Sequence, residues 1–179
     1  MIPVAILCGG KGTRLKPLTA KLPKCLVDVN GRPFLVHQLE LLKRNGYTDV
    51  LLLSGYLWQM IRGVVGDGTR YGMTIRHCPD PEPAFGTDNA ILAARPHLGP
   101  EFFVLYGDSY LDCDYQAVEA ALMQSPQLDA VLTTYEGVDY GLRAFRQFPP
   151  QTWMEYPMAR RWQEIGSHEG LERVRALTR

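Results

Sequence analysis

The stretch CGGKGTRLKPLTAKLPK, residues 8–24, sets three glycines, two prolines and five cationic side chains in one run. It follows directly on PVAIL, Pro3–Leu7, a short apolar segment of strand character. Glycines allow backbone N–H groups to approach an anion closely, and Lys11, Arg14, Lys16, Lys21 and Lys24 supply charge. Polyphosphate is the ligand class that suits this mixture. Two familiar phosphate loops are excluded. A Walker loop has glycine-lysine followed by Ser or Thr, whereas Lys11 is followed by Gly12. A dinucleotide fingerprint needs a third glycine where Leu15 stands, and Pro17 and Pro23 prevent a long helix. An extended basic loop that wraps its ligand is left.

Outward from this loop, strand-like and helix-like segments alternate. Residues 49–55 read as a second buried strand, and 73–78, 102–108 and 129–135 as further strands. Residues 34–46, 57–66, 88–99 and 115–125 read as helices, the first amphipathic and stopped at Gly46. This alternation predicts crossover units on a mostly parallel sheet, hence an α/β three-layer sandwich of Rossmann-like type. Ligands of such sheets sit beyond the carboxyl ends of the strands, where residues 8–24 lie. After Tyr135 the chain is turn-rich and shows no clean period.

A chain of 179 residues fits one domain, 1–179. Lys plus Arg and Asp plus Glu both number 19, so there is no basic field to favour nucleic acid. No stretch approaches the length of a membrane span, and MIPVAILCGG lacks the basic start of a signal peptide. A cytoplasmic location is expected, with Cys8, Cys25, Cys78 and Cys113 as free thiols. The four histidines are scattered and suggest no metal site. Oligomeric state is not expressed in these features.

Residues 9–35, GGKGTRLKPLTAKLPKCLVDVNGRPFL, resemble the signature of the sugar-phosphate nucleotidylyltransferases. The glycines, Arg14, Pro23 and Lys24 all stand in register. The resemblance continues through FGTDNAIL, FFVLYGDSYLD, DYGLRAF and RWQEIGSHEGLERVR. It is strongest toward bacterial heptose- and mannose-1-phosphate guanylyltransferases, and implies the nucleotide-diphospho-sugar transferase type of fold.

The reaction it implies joins an NTP to a sugar 1-phosphate and releases pyrophosphate. Charge neutralisation and in-line alignment are its main demands. By resemblance, Leu7, Cys8, Gly9, Gly10, Lys11, Gly12 and Thr13 hold the nucleotide, with Gly86 and Asn89 beside the base. Arg14 grips the β and γ phosphates, and Lys24 the α phosphate. Asp108, at a strand tip after Gly107, and Glu164, in Trp162-Gln163-Glu164-Ile165-Gly166-Ser167, are the expected Mg²⁺ carboxylates. Many relatives carry Asp where Glu164 stands. Asp88, Gly107, Tyr140 and Gly141 fall on the sugar side, with Asp88 also suited to guanine or to a helix cap. Asp112 and Asp114 read as a turn and a cap. Guanine is the expected base, because Asp88 and Asn89 offer it acceptors and a donor; UTP and dTTP remain alternatives.

The interval from Asp108 to Glu164 is shorter than the resemblance implies, with two abrupt joins between 135 and 162. No lysine follows Lys43, so the expected sugar-phosphate lysine is missing. Either the sugar side of the pocket is reduced or mobile loops have been left out, and the abrupt joins favour the second. Two functions follow: an active nucleotidylyltransferase, or a catalytically silent homologue that binds nucleotide or sugar phosphate as a regulatory subunit.

Overall fold

The computed structural model describes residues 1–80, 86–159 and 162–178, with Asp139 and Tyr140 described by backbone alone. In chain order the strands are β1 (Val4–Leu7), β2 (Asp28–Val29), β3 (Arg32–Pro33), β4 (Asp49–Ser54), β5 (Thr74–Pro79), β6 (Phe102–Tyr106), β7 (Ser109–Tyr110), β8 (Ala130–Tyr135), β9 (Val138–Phe145), β10 (Trp153–Pro157) and β11 (Gln163–Glu164). The α-helices are α1 (Phe34–Arg44), α2 (Trp58–Val65), α3 (Thr87–Ala94), α4 (Tyr115–Met123) and α5 (His168–Leu177).

Seven strands form one sheet in the order β10-β8-β9-β6-β1-β4-β5. All neighbours are parallel except those of β9, which runs antiparallel between β6 and β8. Alternate residues explain the layers. Val4, Ile6, Val50, Leu52, Phe103 and Leu105 face a core shared with Leu35, Leu39 and Leu42 of α1, Ile61 of α2 and Val118 of α4. Ala5, Leu51, Leu53, Phe102 and Val104 face the other side, where Ala90, Ile91 and Ala94 of α3 cover them. The mostly parallel sandwich expected from the strand-helix alternation is the fold observed.

A third, smaller core fixes the site. Leu15 is fully buried and packs with Val27, Val29 and Phe34 against Ile165 and with Leu171 and Val174 of α5. The residue that occupies the third-glycine position of a dinucleotide loop is thus the hydrophobic anchor of a different loop. Among the described residues, no helix is long and apolar enough to cross a membrane.

Candidate active site

A cleft of about 420 Å³ opens beyond the carboxyl ends of β1, β4 and β6. Its floor is the segment after β1. Gly12 has φ 61°, a conformation open to glycine at little cost, and a Cβ there would stand 3.0 Å from Lys24 Cβ. The Thr19 hydroxyl donates to the Gly12 carbonyl at 2.7 Å. Residues 13–15 and 24–26 form single 3-10 turns, so the loop is a series of tight bends, as the two prolines require.

Leu7, Cys8, Gly9, Gly10, Gly12, Thr13, Arg14 and Lys24 line the cleft on this side, and Gly86, Gly107 and Asp108 line it opposite. The cleft thus brings together residues up to 101 positions apart in the chain, from Leu7 to Asp108. Lys11 points to a separate surface groove with Lys16 and Tyr56. Asp88 and Asn89 are exposed on the first turn of α3; the neighbours that reach the cleft are Thr87 and Ala90. Gly141 lies in β9, where a Cβ would come within 2.3 Å of the Tyr106 ring. Tyr106 lines the cleft, so Gly141 bears on it through that ring. The side chain of Tyr140 lies outside the described residues. Asp114 caps α4, accepting from the Ala117 N–H at 2.9 Å.

The decisive contact is between Lys24 and Asp108. The Lys24 ammonium donates to Asp108 Oδ2, and the two side chains are only 13% and 25% exposed. A cation and a carboxylate 84 residues apart therefore meet in the cleft wall. Gly107 makes this possible. Its N–H donates to the Leu7 carbonyl at 3.0 Å, and a Cβ would stand 2.6 Å from that oxygen. β11 brings up the second carboxylate by pairing Glu164 with Ser109, and the Ile165 N–H donates to the Asp108 carbonyl at 2.8 Å. Glu164 does not line the cleft; its carboxylate lies against Gly166, which does.

Among the described residues no group of three or more His, Cys, Asp or Glu side chains could hold a metal ion. Mg²⁺ keeps waters and takes further oxygens from substrate phosphates, so it asks little of the protein, and Asp108 offers it a carboxylate in the cleft wall. Cys8 is unsuited to act as a nucleophile. Its contact with Cys25 and its burial push the thiol well up, so it stays protonated.

Asp80 is a cleft residue that the sequence pattern did not mark. It lies just beyond β5, its N–H donating to the Ser54 carbonyl at 2.8 Å. Its carboxylate would be 2.6 Å from a Cβ on Gly9 and 2.7 Å from one on Gly55, so it reaches across two glycines. Burial raises its carboxyl above the usual range. Its position at a strand tip was the available signal, obscured because Arg76 and His77 break the apolar pattern of β5 before its end at Pro79.

A family model described as nucleotidyl transferase matches residues 4–140. This chain belongs to that family. It is 36% identical over 123 residues to the N-acetylmuramate alpha-1-phosphate uridylyltransferase of Neisseria meningitidis, covering 68% of this chain and 53% of that protein. It is 37% identical over 109 residues to the D-glycero-alpha-D-manno-heptose 1-phosphate guanylyltransferase of Campylobacter jejuni, covering 61% and 48%. The chain spans about half the length of these curated relatives. The solved structure of HddC from Yersinia pseudotuberculosis complexed with GMP-PN has the same fold, with TM-score 0.83, 20% identity and 100% of both chains covered.

Proposed function

We propose that this nucleotidyl transferase family member is a sugar-1-phosphate nucleotidylyltransferase that uses GTP and a mannose- or heptose-type 1-phosphate. The observation that carries the reading is the Lys24–Asp108 pair in the wall of the glycine-loop cleft. An oxygen of the sugar phosphate attacks the α-phosphorus of the NTP, the bond to the β-phosphate oxygen breaks, and pyrophosphate leaves. Gly9, Gly10 and Gly12 allow the nucleotide close to the backbone. Arg14, exposed at the cleft, is free to fold onto the β and γ phosphates. Lys24 leaves Asp108 for the α-phosphate and offsets the charge that develops there. Mg²⁺, held by Asp108 from the cleft wall, would neutralise phosphate charge when bound.

Guanine is supported by Asp80 more than by Asp88 or Asn89. A carboxylate accepts two N–H bonds, and guanine presents two adjacent donors at N1 and N2. Uracil and thymine present one donor flanked by carbonyl oxygens, which a carboxylate repels. The relatives named above include both a uridylyltransferase and a guanylyltransferase.

A second reading, a catalytically silent binding homologue, is favoured by the absence of any lysine after Lys43. One assay separates the two: pyrophosphate release from GTP, UTP, dTTP, CTP and ATP with mannose, heptose and glucose 1-phosphates and Mg²⁺. The enzyme reading expects release with GTP and a mannose- or heptose-type substrate, abolished by chelator. Nucleotide binding without release supports the silent reading. A tenfold preference for UTP or dTTP overturns guanine and leaves the site.

A further inference from the structure

Gln38 sits in the middle of α1, where FLVHQLELL buries six consecutive residues, Phe34 to Leu39. It is 3% exposed. Its side-chain nitrogen donates to the Tyr106 carbonyl at 2.9 Å and to the Ser109 carbonyl at 2.7 Å. These two carbonyls bracket Gly107 and Asp108. Gln38 Oε1 is buried and has no hydrogen-bond partner. A buried acceptor left unpaired costs stability that an apolar side chain would not. An apolar side chain would remove that cost but leave the Tyr106 and Ser109 carbonyls without this donor, so the amide is justified by the two bonds it donates. What the amide supplies is a single nitrogen that satisfies two carbonyls and holds them at fixed separation.

The turn it holds is the one that carries Asp108. β6 ends at Tyr106 and β7 begins at Ser109, so Asp108 lies in the break between two ladders. Three groups secure that break from three directions. The Leu7 carbonyl accepts from the Gly107 N–H, and the Ile165 N–H donates to the Asp108 carbonyl. Gln38 is the third, and its two bonds span the turn from end to end.

We propose that Gln38 is the positioning residue for Asp108, and that it sets the affinity of the site for a divalent ion by clamping the Tyr106–Ser109 turn. This rests on Asp108 being a metal carboxylate. Partners that orient a ligating side chain typically change metal affinity by 10- to 100-fold when removed. Without the clamp, the two carbonyls seek other donors and the Asp108 carboxylate leaves its place between the Lys24 ammonium and the Ser109 hydroxyl, which donates to Asp108 Oδ1 at 3.3 Å. Gln38 touches neither substrate nor metal and acts through the backbone alone.

The test is titration of Mn²⁺ alone into the protein, with free Mn²⁺ read by electron paramagnetic resonance. Four variants are compared with the unaltered chain. Gln38→Met keeps the side-chain volume and removes both bonds; its Mn²⁺ dissociation constant should rise about tenfold. Gln38→Asn keeps the amide but shortens its reach, and should shift the constant in the same direction. Leu39→Ala destabilises the same helix and should lower Tm with the constant unchanged within about twofold. Asp108→Asn should remove the site. Hydrogen–deuterium exchange over residues 105–111 should quicken in Gln38→Met and not in Leu39→Ala. A Gln38 variant that folds and binds Mn²⁺ as the unaltered chain does overturns the proposal. If Asp108→Asn weakens Mn²⁺ while both Gln38 variants do not, the clamp alone is wrong. If Asp108→Asn also leaves Mn²⁺ binding unchanged, the metal reading of Asp108 falls first.

Discussion

The cleft wall that carries Lys24 and the far end of the sheet, β8 to β10, are held very differently. The first is tied to three supports. Leu15 and Val27 are buried against α5, Thr19 closes the loop on Gly12, and Lys24 pairs with Asp108. The second is a hairpin and an edge strand. Glu136 and Gly137, with φ 52° and 76°, turn β8 back into β9 in two residues. α4 packs on β8 and β9 from one side, whereas α3 lies over β1 and β4. Val138 and Trp153 are 52% and 54% exposed. The wall proposed to handle phosphate receives the buried anchors, and such a role needs atoms held to within about half an ångström.

Lys24→Ala tests the rigid wall most severely. It removes the charge opposite Asp108 and leaves that carboxylate without its cation. Turnover should fall by about 10²–10³-fold, the scale of losing one group that stabilises transition-state charge. The circular dichroism spectrum should keep its native form. A near-normal rate would detach Lys24 from the chemistry.

Leu171→Ala attacks the same wall from behind. Leu171 is 1% exposed and closes the small core around Leu15. Truncation of a buried leucine costs about 2–5 kcal/mol. Chemical denaturation should show that loss, and nucleotide affinity should fall with it because Leu15 anchors the glycine loop. A full stability loss with unchanged affinity would mean that the loop holds itself.

These two variants also show why the fold was more legible than the site. The five strands read from the sequence, from Pro3–Leu7 to 129–135, correspond to β1, β4, β5, β6 and β8. β5 is an edge strand that carries Arg76 and His77 between Ile75 and Cys78, whereas β1, β4 and β6 are continuous apolar runs, because both faces of a central strand are covered. β9 carries Gly141 and Arg143 within its run, and β10 is an edge strand with Trp153 and Glu155 exposed, so neither shows that pattern. Arg14 and Lys24 stand at fixed places in the signature run, and Asp108 ends the apolar run FFVLYGD, so all three were legible in the sequence. Asp80 and Gln38 were not. One acts from beyond a strand end across two glycines, and the other hides as a polar residue inside an apolar helix.

Asp80→Asn separates binding from stability within the rigid wall. GTP affinity should fall about tenfold, 1.4 kcal/mol, in calorimetric titration. Stability should move the other way. Burial raises the folded-state carboxyl above its unfolded value, so the folded chain holds the proton more tightly. Stability therefore declines as pH rises through the interval between the two values. Above that interval the ionised, desolvated Asp80 is a penalty that asparagine removes, so Tm at neutral pH should rise slightly. Below the unfolded value both side chains are neutral and the gain should vanish. A lower Tm at neutral pH would mean that the carboxylate has favourable partners in the folded chain.

Trp153→Thr probes the loosely held end and should do least. Trp153 begins the edge strand β10, paired in parallel with β8 through Ala130. More than half of its surface is already in water, so truncation uncovers little apolar area. Threonine keeps the extended-strand preference, and Pro157 still blunts the far end of the edge. Unfolding free energy should stay within about 0.5 kcal/mol, the ordinary range for surface changes. GTP affinity should be unchanged, because Trp153 does not border the cleft. A loss above about 2 kcal/mol, or a weaker nucleotide, would show that β10 is braced as firmly as the glycine loop, and the contrast between the two regions would disappear.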